Sequence, residues 1–261
     1  MRVIHTSAVV DPAATLGRDV QIGPFCVVGP DVSLADSVVL HSHVVLDGKT
    51  SIGAGSQIFP FASIGTQPQD LKFKGEMSQV QIGAKTVIRE QVTINPGTQG
   101  GGLVTKVGDN CLLMVGAHVA HDCQVGNHCI LVNNATLAGH VSVGDHAIIG
   151  GLAAVHQFVR IGAHAMIGGM SGIEQDVIPY GIALGERANL SGLNLVGLKR
   201  RGFSRQEIHG LRQAYKALFG DDGTLKDRLE KVSQDFTQLE AVEELIAFLR
   251  AESSRGISQP K

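Results

Sequence analysis

Near the middle of this 261-residue chain a histidine and an aspartate stand side by side, His121 and Asp122, within the stretch Leu112 to Gly151. An imidazole titrates near neutrality, and an adjacent carboxylate can fix its tautomer and raise its basicity. Together the two suit a general base that takes a proton from a hydroxyl nucleophile. A solvated strand edge also carries such pairs, so the two residues alone leave both readings open. His118 and His140 lie in the same stretch.

The frame that must hold these side chains has an unusual rhythm. An aliphatic residue returns every sixth position, at Leu113, Val119, Val125, Leu131, Leu137, Val143 and Ile149. A helix of period 3.6 does not produce that beat, and neither does a simple alternating strand. The histidines at 118, 121 and 140 fall between the beats, so they are not required in a core. The beat starts at Ile4, runs unbroken to Ile64, and resumes later as far as Ile173. Four residues after most beats comes a small or β-branched residue, such as Ala14, Val20, Cys26 or Ala62. This predicts a mainly β solenoid of short strands whose aliphatic and small residues share one face. Glycines such as Gly17, Gly23 and Gly53 are expected at its tight corners.

Two segments break the beat: a polar one near residues 66-79, and a glycine-rich one near 98-105. Both are predicted to project as loops, and long excursions from a compact repeat are more often functional than decorative. The cysteines at 26, 111, 123 and 129 occupy the small-residue slot, which favours buried packing over disulfide, metal or nucleophile roles. His128, His146 and His164 recur in step and predict an outward ladder, which is read as exposed decoration.

Composition narrows the function classes. The chain carries 33 glycines, no tryptophan and a formal net charge of -2, so a nucleic-acid partner is not expected. No apolar run near the N-terminus reads as a secretory signal, and none is long enough to span a membrane. The expectation is a cytoplasmic protein without stable membrane insertion. Beyond about residue 190 helix formers and charges take over. Ser204 to Glu207 forms a capping box, opening a helix with Ile208, Leu211, Tyr215 and Leu218 on one face. Thr224 is a candidate cap for a second helix through Leu229, and Val242, Leu245, Ile246 and Leu249 mark a third. Ser253 to Lys261 is expected to fray. Residues 1-189 are thus assigned to the β solenoid and 190-261 to a helical domain.

The hexads resemble the left-handed parallel β-helix of the hexapeptide-repeat acyltransferases. The segments FASIG-TQPQDLKFKGE, HVAHD, NNATLAGHVSV, AVHQF, IGGMSG and NLVGLKRRGFS, spread over nearly the whole chain, are similar to the UDP-N-acetylglucosamine O-acyltransferase family. That resemblance implies transfer of a 3-hydroxyacyl chain from acyl carrier protein to the sugar 3-hydroxyl, the first step of lipid A biosynthesis. It implies His121 and Asp122 as the catalytic pair and the Gly139 amide as the oxyanion contact. Gln69, Asp70, Lys72, His118, His140, His156, Gln157, Asn194, Arg200 and Arg201 are the implied substrate-binding residues. Gly169, with Met170 beside it, is the implied acyl-length position, and a glycine there favours a longer chain such as 3-hydroxymyristoyl. The resemblance also implies a homotrimer with sites between subunits, and no cofactor.

Two positions depart from the family pattern, Asn95 with Pro96 where a histidine is usual, and Val196 where an acidic residue can stand. Three other readings compete. A zinc hexapeptide enzyme lacks its third ligand here, because Leu46 and Gly169 fill that position, so no metal is expected. The related N-acyltransferase usually carries an extra N-terminal domain. The third is a scaffold without catalysis.

Overall fold

The computed structural model describes residues 2–236 and 239–261. The hexads wind into a left-handed parallel β-helix, a three-sided column whose faces are sheets of eleven, nine and eight strands among the described residues. Most strands are only two residues long, and each pairs in parallel with the strand one coil away, as Gln21–Ile22 with Val39–Leu40. Two residues suffice because the next corner follows at once. The second residue of each strand points inward, and the residue two before it completes the wedge. Cys26 and Val28 are an example, at 0 % and 2 % exposure.

Register survives both excursions. Ile58 pairs with Ile88 across the first, and Ile94 with Val119 across the second. The first runs between strands ending at Ile64 and beginning at Gln79. The second lies between Ile94 and Val104 and includes a short 3-10 turn, Gln99–Gly101. Thr105, expected in that loop, is instead a fully buried strand residue.

The corners are built differently from expectation. Their left-handed residues are mostly not glycine: Asp19, Phe25, Asp122, His140 and His164 all have φ near +60°. Gly17, Gly23 and Gly53 stand two positions earlier, where a Cβ would press into the backbone of the next coil. Close approach, rather than positive φ, requires glycine there.

The outward residues distinguish the faces. On the third face they are polar, with Lys106, Gln124, Ser142 and Arg160 stacked in register. On the first face they are apolar, with Val87, Leu112, Ile130, Ile148 and Met166 stacked and half-buried.

The β structure continues beyond residue 189. A strand at Gly181–Leu184 extends the first face, and Asn189–Leu193 folds back on it antiparallel. Among the described residues four helices follow, α1 (Leu195–Arg200), α2 (Arg205–Leu218), α3 (Leu225–Asp235) and α4 (Glu240–Arg250). Capping boxes at Ser204/Glu207 and Thr224/Asp227 start α2 and α3 by satisfying their first amides. α3 extends well past Leu229, and α1 had no counterpart in the sequence reading.

The helices dock on the column through polar clamps. Tyr180 donates to Glu244 on α4, and Arg160 is paired with Asp176 at 2.6 Å beneath Phe248. The C-terminal segment, expected to fray, is tied down instead. Ser258 donates from its backbone to Asp176 at 2.8 Å and is 1 % exposed. Backbone pairing with a buried strand end overrides the local polarity of that sequence.

Candidate active site

The second face delivers His118 and Val119, and the corner after them presents His121 and Asp122. Asp122 adopts φ +61°, which turns its side chain back under the corner, where it is 4 % exposed. A buried carboxylate needs donors, and this one has several. Thr98 reaches it twice, from its amide to Oδ1 at 2.8 Å and from its hydroxyl to Oδ2 at 2.6 Å. His121 Nδ1 lies 2.8 Å from the same Oδ2. The corner is pinned from below by Thr105, whose hydroxyl accepts the Asp122 amide at 2.7 Å.

Because the carboxylate engages Nδ1, the tautomer that donates there leaves Nε2 of His121 as a free acceptor. The ring lies over Gly139, one coil on. A Cβ at that glycine would stand 2.6 Å from Nε2 and 2.5 Å from Cε1. No hydrogen bond from the Gly139 amide is found among the described residues. An imidazole nitrogen and an amide N–H therefore sit on neighbouring coils at the same corner.

His140 meets His121 edge-on with ring centroids 5.0 Å apart, stacks on Phe158 at 4.4 Å, and has Nδ1 3.8 Å from Asp122. Burial lowers the His140 pKa, with the Asp122 charge opposing. His118 Nδ1 pairs with the Thr93 hydroxyl at 2.7 Å, and burial followed by the His121 charge lowers its pKa too. Both shifts favour the neutral ring. His121, Asp122 and His140 also bring possible metal-ligand atoms within 4.8 Å of one another. The carboxylate in that trio is already committed to Thr98 and His121.

Both excursions close on this corner. The cleft there has a volume of about 640 Å³, and Asp70, Lys72, Lys74 and Glu76 line one side of it, with Thr98, Gln99 and His140 on the other. Lys72 is exposed, while Asp70 turns its own loop by accepting the Lys72 amide at 3.0 Å. Gln69 is exposed beside them. Glu76 accepts the Lys74 amide at 2.7 Å and the Gln99 amide at 3.1 Å, so one carboxylate joins the two loops. Asn95, 5 % exposed, anchors the start of the first loop by donating to the Thr66 carbonyl at 3.2 Å. A groove of about 700 Å³ between the third face and α4 contains none of the site residues expected from the sequence.

The remaining candidates lie elsewhere on the single chain. His156 and Gln157 are exposed one coil beyond Gly139, where Arg255 donates to the Gln157 carbonyl at 2.8 Å. Asn194 caps α1, accepting the Gly197 amide and donating to the His164 carbonyl, both at 3.0 Å, so both ends of its amide are engaged internally. Arg200 is exposed, as is Val196. Arg201 donates to the His146 carbonyl at 2.7 Å. Gly169 and Met170 are exposed at the corner between the first and second faces, just before the last strand of the second face and away from the His121 corner. The histidine ladder is real, with His128, His146 and His164 stacked at 4.6 and 4.7 Å. Its upper end is not decoration, because His164 packs against Tyr180 and Phe203.

Thr98, Thr105, Glu76 and Phe158 were not singled out from the sequence. The signal for Thr98 was its neighbours. A Cβ at Gly101 would fall on the Asp122 carboxylate, and one at Gly97 would stand 2.8 Å from Oδ1.

Comparison with known proteins agrees in fold and in length. Residues 176–258 match the family model "Udp N-acetylglucosamine O-acyltransferase; Domain 2", and residues 13–48 and 105–139 match "Bacterial transferase hexapeptide (six repeats)". An acyl-acyl-carrier-protein–UDP-N-acetylglucosamine O-acyltransferase of Azorhizobium caulinodans is 52 % identical, covering 99 % of this chain and 95 % of its own. The enzyme of the same name from Methylobacterium radiotolerans is 64 % identical over 76 % of this chain and 73 % of its own. A crystal structure of a UDP-N-acetylglucosamine acyltransferase superposes with a TM-score of 0.95 at 44 % identity, covering 99 % of both chains.

Proposed function

This chain belongs to the UDP-N-acetylglucosamine O-acyltransferase family, and from that premise we propose that it moves an (R)-3-hydroxyacyl group from acyl carrier protein to the 3-hydroxyl of UDP-N-acetylglucosamine, the first step of lipid A biosynthesis. The observation that carries the mechanism is His121 held by Asp122 through Nδ1, with Nε2 lying over Gly139. Nε2 takes the proton of the 3-hydroxyl as its oxygen attacks the thioester carbon. The carbonyl oxygen becomes an oxyanion that accepts from the Gly139 amide. Collapse breaks the carbon–sulfur bond, and the imidazolium returns its proton to the departing thiolate. Asp122 stabilises the imidazolium between those steps. Asp70, Lys72 and Gln69 in the adjoining loop hold the sugar, and Arg200 takes the nucleotide phosphates.

Acyl-length selection by Gly169 needs a second copy, because Gly169 and His121 occupy different corners of one column. The apolar outward stripe of the first face, from Val87 to Met166, supports the same reading, since such a surface is normally covered. A homotrimer with shared sites satisfies both observations. No helix among the described residues is long and apolar enough to cross a membrane. The cytoplasm is the compartment we propose for the reaction. Mass spectrometry of the product formed from UDP-N-acetylglucosamine and mixed hydroxyacyl carrier proteins tests acceptor, position and chain length together. A product acylated on nitrogen, or no product, overturns the reading.

A further inference from the structure

The geometry points to Thr98 as a positioning residue for the general base: its hydroxyl and amide clamp the Asp122 carboxylate so that Oδ2 is aimed at His121 Nδ1. The inference rests on His121 being the base and asks what keeps the base aligned.

A carboxylate rotates about the Cβ–Cγ bond, so proximity to His121 does not by itself fix which oxygen faces the ring. Thr98 does so by engaging both oxygens at once, the amide on Oδ1 at 2.8 Å and the hydroxyl on Oδ2 at 2.6 Å. Rotation would break both bonds, leaving a carboxylate of 4 % exposure short of donors. The clamp also selects between imidazoles, since Oδ2 lies 2.8 Å from His121 Nδ1 but 3.8 Å from His140 Nδ1. Without it the carboxylate can swing towards His140, which no step of the mechanism uses as base.

The loop that carries Thr98 is shaped for this approach. Gly97 and Gly101 leave room for the carboxylate, and Gly102 takes φ +90°, which allows the chain to turn away again. The amide of Leu103 returns to the Thr98 carbonyl at 3.0 Å and closes the loop on itself. Thr98 is 4 % exposed, and although it lines the cleft its hydroxyl is spent on the carboxylate.

The test compares Thr98→Val, Thr98→Ser and His121→Ala. Valine keeps the size and the backbone amide and deletes only the hydroxyl; serine restores the hydroxyl. Thr98→Val is expected to lower kcat by about 10- to 100-fold, the scale of a misaligned catalytic group, with KM for the sugar nucleotide changed less than about threefold. Thr98→Ser should recover most of the rate. A wild-type kcat in Thr98→Val, a loss confined to KM, or a Thr98→Ser enzyme as impaired as Thr98→Val overturns the clamp. If His121→Ala keeps full turnover, the base itself has been misassigned, which is a different failure read from a different variant.

Discussion

Gly139 lies one coil beyond His121, and the place its Cβ would occupy is filled by the His121 ring, 2.6 Å from Nε2. The backbone at Gly139 is not among the positive-φ glycines, so alanine is conformationally allowed there. Gly139→Ala should therefore act on the imidazole rather than on the fold. We expect kcat to fall about 100-fold or more through displacement of the base, while the thermal midpoint moves only a few degrees. Steady-state kinetics beside calorimetry checks both; a large loss of stability with normal kcat would sink the argument.

The column should be intolerant of charge anywhere along its axis. Leu131 is fully buried and stacked between Leu113 and Ile149. Leu131→Ala should destabilise by about 2–5 kcal/mol, and Leu131→Asp should abolish soluble folded protein. Denaturant melts of the alanine variant read the first effect, and expression yield reads the second.

Subunit contacts are expected through the apolar first face. Ile148→Lys places a charge in the middle of the stripe formed by Ile130, Ile148 and Met166. If the proposed trimer forms through this face, light scattering should show the variant at a lower mass than the wild-type protein, accompanied by loss of activity. Two individually inactive chains, His121→Ala and Gly169→Trp, should regain activity when mixed and reassembled if each site draws on two copies. Failure of mixed trimers to regain any turnover would place His121 and Gly169 in separate functions.

Stability should fall in mild acid because of His164. Burial first, then the charges of His146 and Arg201, lowers its pKa to about 4 from an ordinary 6.5, while Asp145 opposes them. The unfolded chain then binds more protons than the native one between those values. This contribution to stability is fully present above about pH 6.5, is lost as pH falls, and levels off below about pH 4. It amounts to at most about 3 kcal/mol before allowing for partial solvent contact. His164→Phe, which keeps a ring between His146 and Tyr180, should flatten the curve of thermal midpoint against pH across that window.

The inward pattern was legible because one side-chain size recurs at a fixed interval, and each coil repeats the same steric requirement. Val119, Val125 and Leu131 could be placed in a core from spacing alone. The two excursions were equally visible as interruptions of the beat. Their purpose was not, because Thr98 meets Asp122 across 24 residues and nothing local marks the pairing. Glu76 and Gln99 are joined in the same long-range way. The apolar first face was present in the sequence but lies at every eighteenth residue, and a six-residue reading averages it with the polar third face. Thr105 was misplaced by about one strand because a glycine-rich run hides where pairing resumes. The C-terminal segment looked free because its partner, the Asp176 backbone, is contributed by the distant end of the column.

Within the column each coil pairs with the coils above and below it, and matching positions recur where the backbone pairs in register, as Lys106, Gln124 and Ser142 do. Height along the column is therefore counted in whole turns of chain. Deleting one residue between His121 and Gly139 would rotate every later side chain off its face and separate the two. Deleting eighteen consecutive residues upstream of the first loop would simply shorten the molecule by one storey and leave the chemistry above it in place.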